Sequence, residues 1–440
     1  MPRIQPFRAV RYTQEAGSAS DLVAPPYDVI DVVHREELAR RSPHNVVHVT
    51  LPQPPPGQSE DARYEAARAT WRNWEAKGVV ARDERPSVYV LTQRYRLPDG
   101  REVTRTGVLA RMRLHRFSEK IVLPHEKTLV APIEDRLKLT TAVRVQLEPI
   151  FLVFPDAGGR AREVLAAAAK SPAVVSVRTE DQTEQGLHVL TDPEALAALG
   201  AAVEPVRAVI ADGHHRYQTA LAYREREGED VEGPHQWVLA FLCPLEDEGL
   251  VILPTHRLVH SLEGFDAEHF LGRAGEIFSV QELHVDAADS TGQRRVLEAL
   301  AEAGRDRHAF AVVAPGGRAW LLTLPRGGAA TMGATMPEAP EVRDLDVTVL
   351  HSVILQDLLG IDPEAQARKT HLEYFKKTDE AFARILGASG PREGQLLFLM
   401  NPTRMEQVRA VAEAGYKMPQ KSTYFFPKVP SGLVFNPLYD

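Results

Sequence analysis

The residues best suited to chemistry are concentrated in one stretch, Val206 to Tyr223, which reads VRAVIADGHHRYQTALAY. A short apolar run, Val206 to Ile210, stops at Ala211-Asp212-Gly213, and apolar residues at helical spacing (Tyr217, Ala220, Leu221, Ala222) begin at once. The spacing predicts strand, tight turn, helix. Asp212 is a suitable N-cap and Gly213 a suitable hinge. His214, His215 and Arg216 then fall in the first helical turn, where free backbone N–H groups and the positive end of the dipole attract anions. Such a helix start suits phosphate, with Arg216 as a fixed charge and the histidines as donors. The alternative is a capped core helix with a polar first turn, although two consecutive histidines followed by Arg have no evident structural purpose there.

Other stretches carry polar groups on stiff backbone. In VAPPYDVI (23–30) two prolines fix an extended segment just before Asp28, which makes either a rigid loop presenting a carboxylate or a plain surface turn. In IVLPHEKTL (121–129) His125, Glu126, Lys127 and Thr128 crowd a loop able to bind a phosphate, a metal or an amino group, or merely to be solvated. LVILPTHRLV (250–259) ends in a second basic pair, His256 and Arg257, able to reach the same ligand. Cys243 sits in the apolar run WVLAFLCPL and reads as a buried structural thiol; a lone cysteine makes neither an internal disulfide nor a thiolate cluster.

The elements that must position these groups are those of an ordinary globular chain. At 440 residues, 44% apolar and 25% charged, it is long enough for two or three domains. Its net charge of -8 gives no global attraction to nucleic acid or anionic lipid, and neither is expected as a partner. No apolar run approaches membrane-spanning length and the amino terminus lacks a signal region, so a cytoplasmic protein is expected. Residues 87–114 alternate as a hairpin around Pro98-Asp99-Gly100. The pattern predicts strands at Val46–Leu51, Pro149–Phe154 and Trp237–Leu245, with Leu250–Val259 as the hairpin partner of the last. Helices are expected at Tyr64–Lys77, Ile133–Thr141 and Asp346–Leu359, and a loop at 327–341. The tail from Tyr416 is too apolar for disorder and should pack on the body.

APPYDVI (24–30), LPHEKT (123–128), IADGHHRYQTAL (210–221), LPTHRLV (253–259) and MPQKSTYFFPKVPSGLVF (418–435), in this order, resemble the blocks of the domain of unknown function 1015 family, nearly end to end. That family name declares no activity. The strand, turn and DGHHR helix start is also similar to the site of the ParB/sulfiredoxin-like superfamily, which includes free L-serine kinases. This resemblance implies an α+β fold, with a ParB/sulfiredoxin-like core and the nucleotide site in residues 1–260 and a closely packed C-terminal α/β region in 261–440. It implies an ATP-dependent kinase of a small hydroxyl substrate, L-serine first, using ATP or ADP with Mg²⁺. Gly213, His214, His215, Arg216 and Thr128 would then hold nucleotide phosphates, Asp212 would take Mg²⁺ or the hydroxyl proton, and Glu126, with His125, would share the metal or bind the amino group. Asp28, His256 and Arg257 would contact substrate. The turn lacks a sulfiredoxin-type cysteine, and the acidic charge opposes a ParB-like DNA role. A nucleotide-binding regulator without phosphoryl transfer and a metal-dependent hydrolase using the many histidines remain as other readings.

Overall fold

The alternating segments VYVLTQRYR and EVTRTGVLARMR fold as the expected antiparallel pair Val88–Arg96 and Glu102–Arg113, and Gly100 takes the φ of 89° that the turn between them requires. In the computed structural model, which describes residues 1–328, 336–387 and 393–439, this hairpin belongs to a nine-stranded mixed sheet. Its strands in chain order are β1 (Ile4–Gln5), β2 (Val88–Arg96), β3 (Glu102–Arg113), β4 (Val122–Leu123), β5 (Ile150–Phe154), β6 (Val175–Arg178), β7 (Glu184–Leu190), β8 (Ala208–Asp212) and β9 (Trp237–Pro244). They lie side by side as β4-β8-β5-β9-β3-β2-β7-β6, with β1 paired to β3. β8 is parallel to β4 and β9 to β5; the other neighbours are antiparallel. The uninterrupted apolar runs of β5 and β9 are buried at every position, as expected of central strands covered on both faces. Helices α1 (Ala62–Ala76), α2 (Val130–Val143), α3 (Arg160–Ala168), α4 (Pro193–Val203) and α5 (His214–Glu227) accompany the sheet. One core joins Val90, Val108, Leu152, Leu199, Ile210 and Tyr217; another joins Val47, Trp71, Trp74, Leu139 and Phe435. The fold class is α+β.

The chain separates into two units. The first comprises Met1–Pro124, Thr128–Val251 and the residues from Phe425 onward; the second comprises His125–Lys127 and Ile252–Tyr424. The division therefore falls at Val251 rather than 260, and the tail returns to the first unit, where Phe435 exchanges backbone hydrogen bonds with Val10 and is fully buried. The second unit has its own six-stranded antiparallel sheet of β10 (His256–His260), β11 (Ser279–Leu283), β12 (Arg307–Val313), β13 (Ala319–Pro325), β14 (Leu372–Phe375) and β15 (Gly394–Met400), in the order β11-β13-β12-β15-β10-β14.

Three sequence expectations are corrected. Val46–Leu51 is a helical turn, Val47–Thr50, and not a strand. Asn45 Oδ1 accepts the Val47 N–H at 3.0 Å while its Nδ2 donates to the carbonyls of Asp21 and Val23, which turns the chain and buries Val46, Val47 and Val49 together. Leu250–Val259 breaks at Pro254, whose missing N–H and fixed φ end the strand, and β10 pairs with β14 and β15 instead of with β9. The helix expected over Asp346–Leu359 is α-helical only to Val349 and continues through Leu350–Leu358 with the wider π-type spacing. Within the loop expected at 327–341, residues 329–335 lie outside the described residues.

Candidate functional site

β8 ends on a bulge. Val209 and Ile210 stand opposite Val153 and Leu152 of β5, but Asp212 stands opposite Phe151, which leaves Ala211 as the extra residue. A bulge at a strand end re-aims the side chain beyond it. Gly213 follows at φ 91°, ψ 32°, and a Cβ there would meet Cζ of Arg216 at 3.0 Å; both facts call for glycine. α5 then begins, and Gly213, not Asp212, is its N-cap, with no side chain capping the helix. The capping role expected of Asp212 is thereby corrected. Its Oδ1 accepts from Lys428 Nζ and its Oδ2 from Arg216 Nη2, so cations take both oxygens. Arg216 curls back beneath its own helix start, donates from Nη1 to the Pro149 carbonyl, and keeps a buried Nε without a hydrogen-bond partner. β5 runs antiparallel to β8 with Phe151 opposite Asp212, so Pro149 and Glu148, just ahead of β5, lie beyond Asp212 toward the start of α5.

Burial alone would raise the Asp212 pKa, but the Lys428 ammonium and the Arg216 guanidinium outweigh it and hold the carboxyl well below the usual range. Arg216 moves the opposite way: burial would lower its pKa, and Asp212 with Glu148 raises it. Glu148 is the contrasting carboxyl. Its burial raises its pKa even though Arg216 and Arg136 favour the charged form, and its Oε1 accepts from Tyr27 N–H at 2.9 Å and Ser431 Oγ at 2.8 Å. A cavity of about 50 Å³ beside it is walled by Glu148, Arg136, Arg216, Thr50 and Thr219. His215 is half-buried, and its Nε2 accepts the Leu129 N–H at 3.0 Å, which leaves Nδ1 to carry the proton of the neutral ring. Burial lowers the pKa of His215 against the opposing field of Asp28.

Of the residues singled out from sequence, the structure brings together Asp212, Gly213, His214, His215 and Arg216, with Asp28 near enough to act on His215 and Arg216 electrostatically. Thr128 is half-buried, one residue ahead of the Leu129 amide that His215 accepts. Parallel pairing of β4 with β8 explains this, because the chain leaving each strand emerges on the same side of the sheet. His125 and Glu126 belong to the second unit, where His125 is buried with Nε2 3.1 Å from Thr423 Oγ1, and Glu126 Oε1 lies 3.5 Å from the same hydroxyl. His256 and Arg257 also belong there. His256 accepts the Met400 N–H at Nδ1 and faces Thr378 Oγ1 with Nε2, its pKa pushed down to about 3 by burial, while Arg257 donates to the carbonyls of Thr255 and Lys421. Sequence reasoning missed Lys428 and Glu148. Lys428 stands in the block MPQKSTYFFPKVPSGLVF, so the signal was present, but nothing local told that it crosses to Asp212; Glu148, in QLEPI, carried no signal.

The expected Mg²⁺ does not fit the donor set at Asp212, whose two oxygens are already occupied by cations, and among the described residues no group of three or more His, Cys, Asp or Glu could hold a metal ion. No helix among them is long and apolar enough to cross a membrane.

The family model described as protein of unknown function (DUF1015) matches residues 4–348. The chain belongs to this family. No curated protein matches it. Among solved structures, this DUF1015 protein is similar to a conserved hypothetical protein from Pyrococcus furiosus (14% identity, 72% of this chain and 94% of that one, TM-score 0.34). It is similar also to a free serine kinase in complex with AMP (15%, 72% and 90%, 0.34) and to SbnI with a C-terminal truncation from Staphylococcus aureus (9%, 72% and 84%, 0.33).

Proposed function

We propose that the first unit is a nucleotide-dependent phosphotransferase acting on a small hydroxyl-bearing molecule, with L-serine the leading candidate. The observation that carries this reading is the start of α5 behind its glycine N-cap, Gly213, flanked by Lys428 and Arg216, the latter also walling the cavity with Glu148 and Arg136. Backbone N–H groups at a helix start, a glycine that allows close approach and fixed cations are what phosphate binding requires. A bound ATP or ADP supplies the phosphoryl group, held by the amides of residues 214–216, the Nδ1–H of His215 and the Lys428 ammonium. Phosphoryl transfer needs positioning and charge neutralisation more than covalent chemistry from the protein. Glu148 is better suited than Asp212 to accept the hydroxyl proton, since a carboxyl with a raised pKa is nearer to the operating pH than one held ionised by two cations. Opposite charges on the cavity wall suit a zwitterionic amino acid, whose ammonium would face Glu148.

One observation favours the second reading, a regulator that binds nucleotide without transferring phosphate: both oxygens of Asp212 are engaged, which removes the most obvious metal carboxylate from the site. Phosphorus NMR of the protein incubated with ATP or ADP, with and without Mg²⁺, and a mixture of amino acids and small alcohols separates the two. A new phosphomonoester is expected; nucleotide binding with no product after prolonged incubation would leave the regulator.

A further inference from the structure

The first unit holds a second recess, formed between the 42–53 segment and α1. Its volume is about 380 Å³, several times that of the cavity beside Glu148, and its walls are Arg35, Pro43, His44, His48, Pro52, Gln53, with Asn73, Trp74 and Lys77 from α1 and its end. The chemistry of this wall is one-sided: two permanent cations, two imidazoles and two amides, with no carboxylate among the lining residues.

The groups are also pinned. Arg35 is mostly withdrawn from solvent, its side chain 11% exposed; Nε donates to the Leu51 carbonyl at 3.1 Å and Nη1 to Glu36 Oε1 at 3.0 Å, so the guanidinium is held in one orientation. Glu36 itself stands outside the recess, 45% exposed and also receiving Gln53 Nε2. His44 Nδ1 lies 3.2 Å from the Ala16 carbonyl and His48 Nε2 3.1 Å from the Ser42 carbonyl. A carbonyl only accepts, so those nitrogens carry protons, and each neutral ring keeps its other nitrogen as an acceptor that becomes a donor on protonation. The His44 ring is further braced edge-on against Trp74, centroids 6.1 Å apart. Side chains so fixed lose little rotamer freedom on binding, which is the condition under which a cationic wall becomes a binding site instead of a solvated surface.

We infer that this recess binds a small oxyanion-bearing molecule, a phosphate or carboxylate group seated against Arg35, His44 and His48, with Lys77 at the rim. A planar guanidinium with fixed neighbours matches an oxyanion, and two imidazoles alone are too few ligands for a metal. This inference does not rest on the nucleotide reading of the α5 start.

The test must tell this recess from the α5 start, which also attracts phosphate. Protein carrying ¹⁵N-histidine is titrated with inorganic phosphate, and the imidazole signals of His44 and His48 are assigned by His44→Gln and His48→Gln. Both signals are expected to shift saturably, and to do so equally in Arg216→Lys; Arg35→Gln should weaken the titration by about tenfold or more, a charge-assisted oxyanion contact being lost. In parallel, crystals soaked in selenate should give an anomalous peak in the recess. His44 and His48 signals that stay fixed while those of His214 or His215 move, or selenate found only at the α5 start, would overturn the inference and leave the nucleotide reading standing. If phosphate moves the His44 and His48 signals as strongly in Arg35→Gln as in wild type, the assigned wall is wrong.

Discussion

Replacing Asp212 by Asn tests the central electrostatic claim. Asn has the shape of Asp and would serve equally well as a helix cap, so a capping role predicts a cost of a few tenths of a kcal/mol. The geometry predicts far more. Asp212 is the shared anion of Arg216 and Lys428, whose side chains are 8% and 15% exposed against 15% for Asp212. Removing it leaves two largely buried cations facing a neutral amide, and breaking a buried pair by deleting one partner costs about 3–5 kcal/mol. At about 2–4 °C per kcal/mol for a domain of this size, the first unit should melt about 6–20 °C lower. Intrinsic fluorescence suits the measurement because Trp71, Trp74 and Trp237 lie in the first unit and only Trp320 in the second. Lys428→Met added to Asp212→Asn should recover a substantial part of the loss, since deleting both partners removes the uncompensated charge that deleting one creates. A loss below about 1 kcal/mol, within the range of a simple cap exchange, or a double variant no more stable than Asp212→Asn, would refute the ion-pair reading.

Acid should narrow the gap between wild type and Asp212→Asn: the folded pKa of Asp212 is depressed, so its stabilisation is complete above the unfolded value, about 3.9, and is lost as pH falls below it, which melting curves over that range would record. Glu148→Gln has the reverse signature, because a raised folded pKa makes wild type lose stability relative to the variant as pH rises above the ordinary 4.5; parallel melting curves between mildly acidic and neutral pH would contradict it. If Glu148 accepts the hydroxyl proton, the same variant should lower turnover about 10²-fold or more with nucleotide affinity kept, as turnover assays and calorimetry would record. Gly213→Ala should cost about 1–3 kcal/mol through its left-handed backbone and its clash with the Arg216 guanidinium, and should weaken nucleotide binding in calorimetric titration. Arg216→Lys keeps the charge but not the simultaneous bonds to Asp212 and Pro149, so nucleotide affinity should fall; unchanged affinity would free Arg216 of any part in the site.

The sequence made the α5 start legible because its signals are local: an apolar run, a glycine and a helical period occupy adjacent positions. The hairpin of β2 and β3 was legible for the same reason, alternation on both sides of Pro-Asp-Gly. What could not be read was partnership across the chain. Lys428 reaches Asp212 from the far end of the sequence, and Glu148 reaches the same neighbourhood only because β5 pairs antiparallel with β8 across a one-residue bulge. A cap was one of two readings of Asp212, beside a catalytic carboxylate, because Asp before a helix usually is one. Tertiary cations displaced that role, and a cap assignment cannot anticipate cations supplied from elsewhere. Val46–Leu51 failed differently: its apolar pattern fits a strand, but Asn45 offers the backbone another set of hydrogen bonds, and side-chain competition of this kind has no period to detect.

The two buried carboxyls bear on which group does chemistry. Both are desolvated and both lie close to Arg216, yet their pKa values move apart, because Asp212 receives two direct cation contacts while Glu148 receives only a backbone amide, a hydroxyl and more distant charge. Environments that separate two titratable groups in this way assign them different work. Asp212, ionised throughout the physiological range, is fitted to hold Arg216 and Lys428 in place at the mouth of the α5 start. If an incoming phosphate draws either cation toward itself, Asp212 loses part of its stabilisation, so the ion pairs oppose binding by whatever fraction of them is given up. Anion affinity at this site should therefore be limited by Asp212 and not only supplied by its partners, and an Asp212→Asn protein that stays folded should bind inorganic phosphate more tightly than wild type.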